Sequence, residues 1–156
     1  MHLYHGSGFN QDELMPGFKR TGTIVKWDNT ESNEYLYAAV TKEEAITMGF
    51  ASVIEKNYLL DRYKSSGKDI VIFIESGRVP TLAELLKLDV YLYVIQKDDK
   101  HEWVLVNNPT NDIKEEYKTK HTLTDCIISK EKIDIVKWTR GKSIKVVDKK
   151  HTANNW

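Results

Sequence analysis

The sequence predicts a single α+β domain with a mostly antiparallel, split sheet of about six or seven short strands and two helices. A length of 156 residues suits one domain and leaves no room for two ordinary ones. The apolar stretches are short and rich in β-branched and aromatic residues, which is typical of strands. Helix-start signals occur at two places, both before residue 90, so helices and strands do not alternate as a doubly wound sheet requires.

Strands are predicted where β-branched or aromatic residues are bounded by turn-forming residues. The predicted strands are residues 3–5, 34–40, 70–74, 91–95, 103–106, 126–128 and 133–136. The polar stretch 96–102 is predicted as a hairpin connection. Residues 9–34, rich in Gly, Asn, Asp and Thr, are predicted as a long irregular connection.

The first predicted helix begins with a capping box. The Thr41 hydroxyl can accept from the amide three residues on, while the Glu44 side chain reaches back to the Thr41 amide. The helix is predicted to run to about Arg62. Small residues on one of its faces, among them Ala45 and Gly49, would let it lie close to a sheet.

A second capping box, from Thr81 to Glu84, predicts a short helix. Beyond it the sequence shows no composition shift that would mark another domain. We therefore expect one domain over residues 1–145, followed by a C-terminal tail over residues 146–156 whose polar end is frayed.

The composition is that of a globular protein without a global charge. Hydrophobic residues make up 40% of the chain and charged residues 29%, which is unlike a disordered chain. The 23 basic and 23 acidic side chains cancel, so no net field draws the chain onto nucleic acid or an anionic membrane. Neither a signal peptide nor a membrane-spanning run is recognisable. The expected location is the cytoplasm of a bacterium, or of the host cell if the chain is encoded by a phage.

Metal chemistry is not expected from the sequence. The single Cys126 can form neither an internal disulfide nor a thiolate cluster, which favours a reducing compartment. The five histidines are scattered without ligand spacing. The phosphate-cradling loop, the dinucleotide-binding loop, the zinc-protease helix and the serine nucleophile elbow are all missing.

Two features near the N-terminus are candidates for chemistry. One is Leu-Tyr-His-Gly-Ser at residues 3–7, where His5 ends a strand and enters a glycine turn. The other is the run through Tyr35 and Tyr37 to Thr41, which leads from a strand into the capped helix. Taken singly, each has an ordinary structural explanation, as a turn histidine or a core tyrosine.

Together, in this order and separation, the two features resemble the ADP-ribosyltransferase superfamily. Its members carry His-Gly-Ser or His-Gly-Thr on the first strand and, further on, a tyrosine on a strand that runs into a helix. The matching residues here are His5, Gly6, Ser7 and Tyr37. The stretch 37–45 and the Leu-Met-Pro-Gly of residues 14–17 look like the rifampin-modifying branch. The resemblance covers roughly residues 3–51, and residues 108–110 and 117–119 extend it more weakly.

The resemblance implies the fold of that superfamily and an NAD-dependent mono-ADP-ribosyltransferase. Such an enzyme cleaves the nicotinamide–ribose bond and transfers ADP-ribose to an acceptor, here an unidentified protein, nucleic acid or small molecule. It puts His5 on the ribose, Gly6 on the nicotinamide amide and Tyr37 under the nicotinamide ring. The NAD-binding residues it implies are His5, Gly6, Ser7, Tyr35, Tyr37 and Thr41. We expect the His5 and Tyr37 rings to share one cleft.

The resemblance also implies a carboxylate. Bond cleavage builds positive charge on the ribose, as in glycoside hydrolysis, and a carboxylate stabilises that charge. Asp125 is the first choice, because the Lys-Glu-Lys-Ile that follows at residues 130–133 is similar to the way many family members end. Its rivals are Asp98, Asp99 and Glu102, which the rifampin-type layout favours.

Two alternatives stay open. RNA 2'-phosphotransferases share the fold and also use NAD, but they rely on several arginines for phosphate, and this chain has four, Arg20, Arg62, Arg78 and Arg140. The other alternative is a non-catalytic module that binds a nucleotide or a partner, such as a phage factor that acts on a host protein.

Overall fold

The computed structural model describes residues 1–17, 34–58, 60–66, 68–74, 78–106 and 115–148. The described part is α+β, as predicted, with nine strands and three helices. The strands are β1 (His2–Ser7), β2 (Leu36–Ala39), β3 (Leu60–Ser66), β4 (Asp69–Ile74), β5 (Tyr91–Gln96), β6 (Val104–Val106), β7 (Glu116–Thr119), β8 (Ile127–Lys132) and β9 (Ser143–Asp148). The helices are α1 (Lys42–Tyr58), α2 (Leu82–Leu85) and α3 (Ile135–Trp138).

The strands form two sheets. The larger has six antiparallel strands in the order β6-β7-β2-β1-β5-β8, so β1 and β2 lie at its centre. The smaller has the order β3-β4-β9, in which β4 pairs antiparallel with β3 and parallel with β9. Antiparallel pairing therefore prevails, as the sequence predicts.

Two apolar clusters occupy opposite faces of the larger sheet, since successive side chains of β1 and β2 alternate between them. The helix-side cluster packs around α1 and includes Ala39, Ala45, Ile46, Phe50, Val53, Ile54, Ile72, Leu92 and Trp138. The far-side cluster consists of Leu3, Leu14, Leu36, Ala38, Tyr93, Ile95, Leu123 and Cys126.

Helix α1 packs directly on the backbone of β1. A Cβ built on Gly6 would lie 2.0 Å from the Ala45 carbonyl oxygen, and one built on Gly49 would lie 2.8 Å from the Gly6 carbonyl carbon. Only hydrogen at these two positions permits so close an approach. The expectation that small residues bring this helix close to a sheet is confirmed.

The capping box predicted at Thr81 forms in full. The one predicted at Thr41 forms only the bond from the Glu44 amide, since the buried Glu44 Oε2 has no hydrogen-bond partner within the described residues. At α2 the Thr81 hydroxyl accepts from the Glu84 amide and the Glu84 carboxylate accepts from the Thr81 amide, each at 3.2 Å. At α1 the Thr41 hydroxyl accepts from the Glu44 amide at 3.2 Å. In the described part of the chain, no helix is long and apolar enough to cross a membrane.

The first helix is shorter than predicted. It ends at Tyr58 rather than near Arg62, and the chain returns as β3 along β4. The ladder with β4 provides backbone partners for residues 60–66, so tertiary pairing overrides the local helical pattern.

The prediction of a strand over residues 133–136 is wrong, because α3 begins at Ile135. The Asp134 carboxylate accepts from the Lys137 amide at 3.1 Å and caps this helix. The helical turn brings Trp138 against Phe50, with 5.4 Å between ring centroids.

The connection between β5 and β6 also differs from the prediction. Strands β5 and β6 do not pair with each other, since β5 lies between β1 and β8 while β6 pairs with β7. The stretch 96–102 therefore crosses between two parts of the sheet and closes no hairpin.

The domain boundary predicted at residue 145 cuts through β9, whose residues up to Asp148 pair with β4. Residues 149–156 lie outside the described part.

Candidate functional site

His5 and Tyr37 lie side by side on the two central strands. The His5 Nδ1 atom is 2.7 Å from the main-chain carbonyl oxygen of Tyr37. A carbonyl oxygen only accepts, so Nδ1 carries the proton and donates it to this bond. In the neutral imidazole, Nε2 is then an acceptor.

Strands β1 and β2 separate next to this bond. In the described residues they pair at one position, Tyr4 with Ala39. The Lys97 amide donates to the Met1 carbonyl at 3.0 Å, which identifies Met1 as a residue whose peptide groups bond to the β5 side. Because this direction alternates along an antiparallel strand, the peptide groups of odd-numbered residues of β1 point toward β5 and those of even-numbered residues point toward β2. The peptide groups of Gly6 therefore face the space between the separating strands, which we call the β1–β2 opening.

Alternation along the strands turns the two predicted rings to opposite faces of the sheet. His5 follows the parity of Leu3 and lies 6.3 Å from Tyr93, between ring centroids, on the far side. The Tyr37 side chain has the opposite parity to Ala38 and lies 6.3 Å from the Tyr35 ring on the helix side. The expectation that the His5 and Tyr37 rings share one cleft is therefore wrong: His5 contacts the Tyr37 main chain, and the two rings lie on opposite faces of the sheet.

A buried phenol holds the loop that follows β1. The Tyr93 hydroxyl donates to the Phe9 carbonyl at 2.6 Å and accepts from the Gln11 amide at 3.0 Å. Because Tyr93 is fully buried beside His5, the loop at residues 9–11 is tied to the far side of the site.

Tyr93→Phe is expected to lower the free energy of unfolding by about 1–3 kcal/mol, because the Phe9 and Gln11 backbone groups lose their partner. Urea denaturation measures this loss. Tyr4→Phe on β1 is the matched control, since the Tyr4 hydroxyl makes no hydrogen bond within the described residues. Equal stabilities for the two variants would show that the Tyr93 hydroxyl does not anchor the loop.

Lysines surround the tyrosines on the helix side. Lys118 Nζ lies 4.1 Å above the centre of the Tyr35 ring, and Lys120 Nζ lies 5.1 Å from it. Lys120 also pairs with Glu34 at 3.0 Å. The hydrogen bond and charge of Glu34 raise the pKa of Lys120. This face of β2 and β7 therefore offers aromatic surface and fixed positive charge together.

The other two predicted NAD-binding side chains have structural contacts. The Ser7 hydroxyl accepts from the Phe9 amide at 3.1 Å and is buried in the turn after β1. Thr41 caps α1, as described above.

The structure does not bring Asp125 to His5. Asp125 lies in the turn before β8, beyond the Ile95↔Ile127 pair, whereas His5 is level with Tyr93 and Lys130. Across the sheet, Asp125 is level with Met1, which is four residues before His5. At the rise of an extended strand, four residues separate Asp125 from His5 by about 13 Å along the strand direction. Asp125 therefore cannot complete a site at the β1–β2 opening.

The rival carboxylates lie in the connection between β5 and β6. Asp98 is engaged by His101, whose Nδ1 is 2.7 Å from Oδ1. Glu102 is 78% exposed and contacts the His121 ring at 3.1 Å. Asp99 is exposed. None of the three has a described contact with the two central strands.

Sequence reasoning missed Glu116. This carboxylate is 5% exposed, on β7, and pairs with Ala39 of β2. Tyr37 pairs with Lys118, so Glu116 and Tyr37 are diagonal neighbours on one face, about 7–8 Å apart between Cβ atoms. Residues 115–120, Glu-Glu-Tyr-Lys-Thr-Lys, have the composition of a solvent-exposed segment. Only the burial of Glu116 in the structure marks this carboxylate as a candidate site residue.

Comparison of the chain with protein-family models, with curated proteins and with solved structures finds no match. The fold class is therefore established by the coordinates alone. The case for a function depends on the side chains at the β1–β2 opening.

Proposed function

We propose that the chain is an NAD-dependent mono-ADP-ribosyltransferase whose site is the β1–β2 opening. The observation that carries this proposal is the hydrogen bond from His5 to the Tyr37 carbonyl at the point where the central strands separate, with buried Glu116 diagonal to Tyr37. It joins the two residues on which the resemblance rests. It also adds the carboxylate that such chemistry needs.

The peptide groups of Gly6 suit a carboxamide. A nicotinamide amide has one acceptor and an NH₂ donor, which match one peptide N–H and one peptide C=O. The even-numbered residues of β1 turn these groups toward β2, and β2 has moved away at Gly6. A planar amide can occupy the place where a strand would otherwise pair.

His5 and the tyrosines serve the two sides of the nicotinamide–ribose bond. With Nδ1 bound to the Tyr37 carbonyl, the His5 Nε2 atom is the acceptor for a ribose hydroxyl. The electron-rich faces of Tyr37 and Tyr35 attract the cationic nicotinamide ring. Lys118 and Lys120 supply positive charge for the diphosphate. Because these groups lie on two faces of the sheet, a dinucleotide would have to pass through the opening to meet all of them.

Glu116 takes the role first given to Asp125. Cleavage develops positive charge on the ribose ring, and a fixed carboxylate at low solvent exposure stabilises that charge more than water does. Glu116 holds its position on β7, which pairs with β2 and β6, rather than in a turn. The acceptor is set by side chains outside this constellation and stays unidentified.

The proposal is tested by incubating the protein with NAD labelled in the adenylate part and with a cell lysate. We expect labelled acceptor and free nicotinamide, and we expect His5→Ala to reduce both by about 100-fold or more, because the ribose loses its orienting group. His2→Ala, an exposed histidine on the same strand, is the matched control. No transfer and no nicotinamide release by the parent protein would refute the proposal.

A non-catalytic nucleotide-binding module is favoured by one observation. The His5 and Tyr37 rings lie on opposite faces of the sheet, which provides binding surface without the single pocket of most transferases. Calorimetry with NAD and ADP-ribose separates the two functions. Binding without nicotinamide release identifies the module.

A further inference from the structure

A second group of chemically versatile side chains lies beyond the end of β5 that is remote from the β1–β2 opening. Asp98, His101 and Cys126 each offer one ligand atom, and these three atoms lie within 4.8 Å of one another. The pairing of β5 with β8 brings them together, because the Gln96 amide donates to the Cys126 carbonyl at 2.8 Å.

Hydrogen bonds orient this cluster before any ligand binds. Oδ1 of Asp98 accepts from the His101 amide at 3.1 Å and lies 2.7 Å from His101 Nδ1. The Thr119 hydroxyl of β7 donates to the His101 carbonyl. His101 and Cys126 are each 8% exposed. A nitrogen, a sulfur and an oxygen ligand are therefore held together at the margin of the far-side cluster.

We propose that Asp98, His101 and Cys126 bind a Zn²⁺ ion that fastens the β5–β6 connection to β8. A mixed N, S and O donor set suits zinc, whereas Mg²⁺ and Ca²⁺ require oxygen ligands. Zinc bonds of about 2.0–2.3 Å place ligand atoms roughly 3.5 Å apart. Ligand atoms that are now up to 4.8 Å apart would move closer, and Asp98 Oδ1 and His101 Nδ1, now 2.7 Å apart, would separate. His121, 6.0 Å from His101 between ring centroids, lies at the edge of the cluster and outside the group of three mutually close ligand atoms.

Burial and neighbouring groups shift the pKa of two of these side chains. Burial acts to raise the pKa of Asp98, but the side-chain and backbone hydrogen bonds from His101 lower it below its ordinary value, so the carboxylate is ionised at neutral pH. Burial, and then the negative charge of Asp98, raise the pKa of the Cys126 thiol.

The site does not depend on the proposed transferase function. It lies on the connection beyond Gln96, while the opening is level with the start of β5 at Tyr91. Its ligands come from segments about 25 residues apart in sequence, and an ion that joins such segments stabilises the folded state by binding it alone. The experiment therefore reads metal binding and stability rather than NAD turnover.

The test uses the full chain, stripped of metal with a chelator and titrated with Co²⁺ as a spectroscopic substitute for Zn²⁺. We expect one Co²⁺ per chain, with a thiolate-to-metal charge-transfer band in the near ultraviolet that Zn²⁺ abolishes by displacement. Zn²⁺ at about one hundred times its Kd should raise Tm by about 5–10 °C. If the folded parent protein gives no such band, the proposal is overturned.

Two variants make the assignment specific. Cys126→Ser should lose the charge-transfer band, and Asp98→Asn should weaken metal binding, while Asp99→Asn, the exposed neighbour of Asp98, should bind like the parent protein. An undiminished band in Cys126→Ser would also overturn the proposal. If Cys126→Ser does not fold, protection of Cys126 from iodoacetamide by Zn²⁺ in the parent protein decides. Equal alkylation rates with and without Zn²⁺ would count against the site.

Discussion

Replacing Gly6 with alanine is expected to destabilise the protein by about 3 kcal/mol or more. The added methyl group would lie 2.0 Å from the Ala45 carbonyl oxygen, far inside van der Waals contact. Neither partner can yield locally, because Gly6 pairs with Leu92 in the central ladder and Ala45 belongs to the first turns of α1. Relief requires α1 to move off the sheet, which opens the helix-side cluster.

Urea denaturation followed by circular dichroism measures this effect. Gly141→Ala is the control for the loss of a glycine as such, since Gly141 has φ +75° and a Cβ there would meet nothing within 4 Å. That substitution should cost about 1–2 kcal/mol from backbone strain alone. A Gly6 variant as stable as the Gly141 variant would mean that α1 is not held against β1 as described.

Elements of the fold that carry local sequence signals could be predicted, and elements that form through long-range pairing could not. The start of α1 could be predicted, because its capping residues and its small-residue stripe are local signals. Strand β7 could not, since Glu-Tyr-Lys-Thr carries no apolar alternation and becomes a strand by pairing with β2 and β6. Helix α3 was mistaken for a strand because its β-branched residues outweighed the capping signal of Asp134.

The residues of the two candidate sites are likewise brought together by strand pairing rather than by local sequence patterns. The resemblance predicts the His5 and Tyr37 rings in one cleft, and this is wrong because the faces of the two residues depend on the Tyr4↔Ala39 register, which no local pattern reveals. The Asp98, His101 and Cys126 cluster arises from the pairing of β5 with β8. Ligand spacing in a sequence reveals only residues that are close along the chain. This cluster joins the local pair Asp98 and His101 to the distant Cys126, so the spacing of the residues does not reveal it.

Glu116→Gln is expected to reduce ADP-ribose transfer and nicotinamide release by about 100- to 1,000-fold, the size of effect that follows loss of one fixed electrostatic contact to a transition state. The substitution preserves the shape of the side chain and removes its charge. On the transferase proposal, that charge opposes the cation that forms on the ribose. The same proposal assigns the binding of NAD to His5, Gly6 and the tyrosines, so the Kd for NAD should change much less than kcat.

The matched control is Glu115→Gln, one residue away and exposed, where alternation turns the side chain to the other face of the strand. It should keep parental turnover. Because Glu116 is buried, the thermal unfolding of its variant must be measured alongside kcat, so that lost activity is compared only between folded proteins. Parental turnover in a folded Glu116→Gln protein would remove this carboxylate from the mechanism. If His5→Ala still abolished transfer, the reaction would have to draw its stabilising charge from a different acidic group, and Asp125 would remain excluded by its distance along the strands.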